Sequence, residues 1–273
     1  MFMHETAFLY VGISAYAVEG NDVTMDSEYV ARDGVLYLVI SRDGESKAIA
    51  SDVLVSIPSA FEGTSLTTAT TTTAIGGHAI AVVENLETFV GTNIKVFGQS
   101  YEYKLVTTTE GEGDQAVVVN THTKAEATAI TNVIYSNAKL QSATFPVMTT
   151  IKTTATGIVR NAALASFEIP TTVTSIPSVT LLNFNNAMTT VFVGCNYEGT
   201  TTLIAATGNM KKLETVVYLG NVTTTNKVIN NAKYSTLKNI YLRDAAAVTA
   251  AADNVSFKLQ TNATISVYQP VVE

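Results

Sequence analysis

Leu164-Ala165-Ser166-Phe167-Glu168-Ile169-Pro170-Thr171-Thr172-Val173-Thr174-Ser175-Ile176 is the stretch whose reading decides the fold. Apolar residues hold its first, fourth and sixth positions, and a proline then stops the extended run. In an extended chain alternate side chains share a face, so Phe167 and Ile169 point one way while Ser166 and Glu168 point the other. The same spacing recurs. Ala143-Thr144-Phe145, Phe167-Glu168-Ile169, Val191-Phe192-Val193, Val217-Tyr218-Leu219, Ile240-Tyr241-Leu242 and Ile265-Ser266-Val267 follow one another at offsets of 24, 24, 26, 23 and 25 residues. Leu140, Leu164, Met188 and Leu237 stand three residues ahead of their segments, and Leu213 falls one place out. A short strand with a Leu-x-x-Φ-x-Φ pattern (Φ, apolar), repeated every ~20 to 29 residues, marks a leucine-rich-repeat solenoid. No such unit can bury its own apolar edge, so each must stack on its neighbours.

The unit Leu164 to Ile176, followed by Phe184-Asn185-Asn186, resembles the BspA-type leucine-rich repeat: a strand, a Pro turn, Val173-Thr174-Ser175-Ile176, and an apolar helical or irregular return. Phe145-Pro146 with Thr149-Thr150-Ile151 repeats it more weakly. Ile265-Ser266-Val267-Tyr268-Gln269-Pro270 is similar to the terminal strand of such domains. The resemblance covers about residues 115–270 and implies a surface, adhesion or interaction module without catalytic residues.

Ahead of the repeats the pattern is also β. Hydrophobic residues make up 47% of the 273 and charged ones only 14%, which suits sheet better than charged surface helix. Tyr29 to Ile40 holds two β-rich runs around Asp33-Gly34, a frequent hairpin step, and Asp43-Gly44 follows. Residues 49–57, 77–83, 92–97 and 101–106 read as further strands. The threonine run 67–73 reads as an extended surface segment or exposed strand. Residues 1–110 carry five Lys/Arg against fourteen Asp/Glu, and residues 111–273 eleven against nine. At this shift stands the acidic, glycine-rich Glu110-Gly111-Glu112-Gly113-Asp114. The expected architecture is mainly β: an N-terminal β domain over 1–108, a linker over 109–114, and a leucine-rich-repeat solenoid over 115–273 with parallel strands at a period of about 24.

A net charge of -7 argues against nucleic acid or an anionic membrane as partner. The longest apolar runs, 35–40 and 79–83, are strand-sized, far short of a membrane span, and residues 1–5 do not read as a secretory leader. Cys195 is the single cysteine, so no intrachain disulfide or thiolate cluster can form; it reads as a small core residue. His4, His78 and His122 are scattered without metal-ligand spacing. Glu19-Gly20-Asn21-Asp22 with Asp26, and residues 110–114, carry oxygens without a calcium-loop spacing. No nucleophile elbow, phosphate loop or dinucleotide fingerprint is present. The expectation is a non-enzyme with neither cofactor nor metal. Asn221, Asn254 and Asn262 stand in glycosylation sequons, which matter only for a secreted eukaryotic chain.

With Val191, Val193, Val217, Leu219, Ile240 and Leu242 facing inward, Phe192, Tyr218 and Tyr241 face outward as an aromatic strip flanked by Glu168 and Arg243. Aromatic and Arg anchors carry most of the energy of protein interfaces. The strip therefore points to protein partners, other copies or neighbouring subunits, in a virus-like particle or other large assembly. A cell-surface adhesin is the alternative, and an enzyme a distant third. The same register stacks Phe145, Ile169, Val193, Leu219, Leu242 and Val267 as one buried ladder, neighbours ~4.8 Å apart. Leu242→Asp would bury an unpaired charge and should cost several kcal/mol in urea unfolding; a variant that melts like wild type would contradict the register.

Overall fold

The structure is a computed structural model. It describes residues 26–32, 35–42, 45–49, 53–54, 57, 61–68, 72–76, 79–98, 101–111, 117–126, 132–152, 157, 159–160, 163–174, 176–205, 209–230 and 233–270. For the strands within 26–54, 101–110 and 117–126 it gives the backbone path. Strands β1 (Asp26–Arg32) and β2 (Val35–Arg42) pair antiparallel, and β3 (Glu45–Ile49) returns along β2. These strands flank the two Asp-Gly steps, which themselves lie outside the described residues. After β4 (Val53–Leu54) the chain begins to coil.

One turn runs through β5 (Ser65–Thr68), β6 (Ala74–Ile75) and β7 (Ile80–Ala81). The next runs through β8 (Thr88–Val90) and β9 (Val96–Phe97), then a hairpin of β10 (Tyr101–Glu110) and β11 (Val117–Glu126), and resumes at β12 (Ile134–Tyr135). A third follows as β13 (Ser142–Thr144), β14 (Thr150–Ile151) and β15 (Val159–Arg160). Later turns open with β16 (Ser166–Ile169), β17 (Thr190–Val193), β18 (Thr215–Tyr218) and β19 (Asn239–Leu242). Helix α1 (Ala245–Ala251) and β20 (Thr264–Val267) end the described chain.

Within the coil, strands pair in parallel with their counterparts one turn on. The first face stacks β2, β5, β8 and β13, and then β16 through β20. The Ala165 N–H to Gln141 carbonyl bond, 3.2 Å, carries it from β13 to β16. A second face stacks β4, β6, β9 and β14. A third stacks β7, β12 and β15, continued by single bridges through Leu182, Ile204 and Ile229. The result is a mainly β solenoid of about 6 turns at a period of ~25 residues. Its return side is built of short β pairings; among the described residues α1 is the one α-helix.

The hairpin is set into the second of these turns. Lys139 and Asn85 hold equivalent places on neighbouring turns, yet they stand 54 residues apart, where turns further on repeat after 24. The surplus of roughly thirty residues is an insertion into one turn, the place where repeat proteins accept extra chain. Strands β10 and β11 run from Tyr101 opposite Glu126 to Glu110 opposite Val117. The stretch 109–114 therefore begins where this hairpin ends: Glu110 closes β10 and Gly111 is exposed, with 112–116 outside the described residues. Glycine and acidic residues suit a chain reversal as well as a linker. One buried cluster runs from Ile57 to Phe257, so the described turns before and after this stretch share a core.

Phe145 ties the two sides of the insertion together. Its ring lies 5.0 Å from Phe97 edge-on, 5.7 Å from Phe89 and 6.3 Å from Phe167. A Cβ at Gly91 would come within 2.8 Å of it; the glycine leaves the space the ring occupies. The threonine run also differs from its expectation as surface. Thr68 and Thr72 are each 3% exposed, since Thr68 follows Leu66 at inward spacing.

The inward ladder holds with one correction. Phe145, Ile169, Val193 and Leu242 are buried. Between Val193 and Leu242, however, stands Tyr218, paired with both, and Leu219 is only half-buried. Leu213 is thus in place after all: Leu213-x-x-Val216-x-Tyr218 fits the repeat, and the alignment on Val217 to Leu219 lies one residue late. A phenol suits the core because its hydroxyl accepts from the Tyr197 N–H at 3.1 Å and donates to the Asn221 carbonyl at 3.0 Å. Val267, in the last strand, is half-buried, with no further turn to cover it among the described residues.

After β7, after β12 and after the Leu182 bridge the chain turns through a left-handed residue: Val82 at φ 54°, Ser136 at 51° and Phe184 at 54°. The registers place all three at equivalent positions. A β-branched residue there is strained by roughly 1 to 3 kcal/mol, and Val82 is 51% exposed, so its side chain recovers little by burial. Val82→Gly should raise unfolding free energy by about 1 kcal/mol in a urea titration; a clear loss of stability would show that the corner does not carry this strain.

Candidate interaction surface

On the first face, residues between the inward ones form rows across the strands. One row is Glu168, Phe192, Val217, Tyr241 and Ser266, each paired with the next. Glu168, Phe192 and Tyr241 thus share the outer face as the sequence pattern predicts. Tyr218 does not: it is 0% exposed, because the one-residue shift in β18 turns it into the core and places Val217 in the row.

Val217 faces out but is only 6% exposed. The sequence reading missed what covers it. Tyr268, one residue beyond β20, has its ring 5.9 Å from that of Phe192 and 6.5 Å from that of Tyr241, both edge-to-face. Its backbone N–H donates to the Leu242 carbonyl at 2.8 Å. Phe192 and Tyr241 flank Val217 in the row, so a ring touching both lies over it. The surface aromatic trio is therefore Phe192, Tyr268 and Tyr241, all half-buried. The signal was available in the alternation of Ser266 and Tyr268, which continues the outward spacing of β20.

Arg243 is exposed beside this trio. Its Nε bonds the Asp244 carboxylate at 2.8 Å and a terminal nitrogen bonds Asn221 Oδ1, also at 2.8 Å. Asp244 also accepts from the Ala247 N–H at 2.8 Å, capping α1. That backbone bond and the Arg243 guanidinium hold its carboxyl below the usual carboxylate range. The pairing pins Arg243 at the rim, with Glu168 exposed at the other end of the row.

Beneath the face runs a buried polar chain. Asn226 Nδ2 reaches the Tyr218 hydroxyl at 3.1 Å and the Asn221 carbonyl at 2.9 Å. Asn254 Nδ2 donates to Asn226 Oδ1 at 2.8 Å, and its Oδ1 accepts from the Ser256 and Phe257 N–H groups. Burial pushes the Tyr197 phenol up to about 12 and raises that of Tyr218 as well. These groups stay neutral and hold the loops of successive turns together, a structural task. Asn254 is 0% exposed and both ends of its amide are bonded, so of the three sequon asparagines only Asn221 and Asn262 are at the surface.

Cys195 is buried and its thiol is pushed up to about 11 by desolvation, the environment of a core residue rather than of a thiolate. Among the described residues no three His, Cys, Asp or Glu side chains gather to hold a metal, and no helix is long and apolar enough to cross a membrane. His4 and His78, the acidic group at 19–22 and residues 112–114 lie outside the described residues, as does the side chain of His122.

Tyr268→Ala would uncover Val217 and remove two ring contacts. It should cost about 1 to 3 kcal/mol in thermal or urea unfolding, more than Tyr241→Ala, which loses one of the two. Equal stability of Tyr268→Ala and wild type would mean the ring does not cover the sheet.

No family model, curated protein or solved structure matches this chain.

Proposed function

We propose that the protein is a non-catalytic structural or interaction component of a large assembly such as a virus-like particle, binding other copies or neighbouring subunits through the outer face of its first sheet. The observation that carries this reading is the contiguous trio Phe192, Tyr268 and Tyr241, half-buried on a rigid sheet and bounded by Glu168 and Arg243. Aromatic anchors held by their neighbours lose little entropy on binding, and a polar rim sets orientation. Glu168 and the Arg243–Asp244–Asn221 cluster supply such a rim.

A second reading, a cell-surface adhesin built of degenerate BspA-type leucine-rich repeats, draws on Leu164 to Ile176 with its Pro170 turn. The turn from β19 through α1 to β20 also favours it, since it has the strand-and-helix form of such a unit. The two readings place the protein in different fractions.

The experiment compares wild type with the triple variant Phe192→Ala, Tyr241→Ala, Tyr268→Ala by circular dichroism. Quantitative mass spectrometry then measures each in purified particles and in cell-envelope fractions. The assembly reading expects enrichment in particles and a loss of about tenfold or more for the folded triple variant. Enrichment in the envelope would favour the adhesin. Incorporation of the folded variant at the wild-type level would sink the role given to the outer face.

A further inference from the structure

A different face of the solenoid carries a second surface, at the corner where the chain leaves the third ladder. Two of the large hydrophobics most exposed among the described residues sit here, Val82 at 51% and Phe184 at 40%. Both occupy the left-handed corner position of their turns, which turns their side chains outward at the cost of backbone strain.

Arg160 lies between their levels. Its guanidinium stands 4.2 Å from the centroid of the Phe184 ring and 5.6 Å from that of Tyr135. Such stacking fixes the plane of the group and leaves its N–H edge free, and no described residue bonds it or pairs with it. A fixed guanidinium edge beside an exposed ring fits a carboxylate that arrives with an apolar neighbour. The chain displays that combination itself. Glu84 is exposed two residues beyond Val82, with no ion pair to a described residue.

The registers set the spacing. Val82 and Phe184 are three stacked levels apart, counted through the pairings of Ile80 with Ile134, Ile134 with Val159 and Val159 with Leu182, or roughly 14 Å at the usual strand spacing. A two-fold axis through the middle of that interval carries each end of the corner onto the other.

We propose that this corner is a self-association surface, on which two copies of the chain meet antiparallel with Phe184 of each against Val82 of the other, and Arg160 of each paired with Glu84 of the other. Two-fold contacts of this kind use one patch twice and close without forming filaments. The charge complementarity is internal to the patch: Arg160 stands on the Phe184 side of the interval, stacked on that ring, and Glu84 stands beside Val82, so the antiparallel arrangement brings unlike charges together and a parallel one brings like charges together.

The test is sedimentation velocity of the full chain over a range of concentrations, with circular dichroism as the check on folding. Wild type should form a dimer that weakens with added salt. Arg160→Glu and Glu84→Arg, each alone, should weaken it about tenfold or more. An equimolar mixture of the two single variants should restore the dimer, because each contact then pairs a carboxylate with a guanidinium. The Phe192→Ala, Tyr241→Ala, Tyr268→Ala chain should dimerise as wild type does, so this result is separable from that of the outer sheet face. A wild type that is monomeric at every concentration, a dimer indifferent to both charge reversals, or single variants whose mixture shows no recovery would overturn the proposal.

Discussion

The backbone ladder between successive turns is the constraint on which everything else depends. A strand of two to four residues gains nothing alone; it is held because its neighbours one turn before and one turn after present the same groups at the same height. The demand is positional. A turn must return the chain to its starting height and face, and side chains are then assigned inward or outward by parity. Leu164, Phe167 and Ile169 meet it with aliphatic and aromatic bulk. Tyr218 meets it with a ring whose hydroxyl needs partners, and Asn226 and Asn254 are buried to supply and extend them. One phenol in the ladder thus explains a run of buried amides that would otherwise be costly.

The same constraint explains why extra chain can enter without breaking the fold. Between β9 and β12 the hairpin adds its residues outside the ladder, and Ile134 still takes its place beside Ile80. Phe145 packs across the levels of Phe89 and Phe97, so the turns on either side of the insertion are joined by aromatic contact in the core. The insertion changes the sequence spacing but leaves the spatial one intact.

This is also the measure of what the sequence made legible. The later turns were readable because nothing interrupts their period, and Glu168, Phe192 and Tyr241 fell on the outer face as their parity requires. The earlier turns carry the same signal in Leu86-Glu87-Thr88-Phe89, three residues from Leu to inward Phe, but the insertion set it 54 residues from its counterpart at Leu140. A search at one period passes over it, and the change in charge near residue 110 then looks like a boundary. Tyr218 sits one place from its expected parity because the Val216-Val217-Tyr218-Leu219 run is apolar at every position and alternation alone does not fix its phase; Leu213, one place out in that alignment, carries the correct register. Tyr268 was missed because it follows the strand proper, and only the geometry of the rings shows it lying over Val217.

The central claim is that one stack of strands runs from the turns before the hairpin to the end of the described chain. Spin labels at Thr88 and Thr264, both outward at the same height on β8 and β20, test it most directly by dipolar distance measurement. Six strand intervals separate them, so the account predicts a single narrow distribution near roughly 29 Å, widened only by the label linkers. A broad distribution, or one centred far from that distance, would contradict a continuous stack and restore two independent units joined near residue 110.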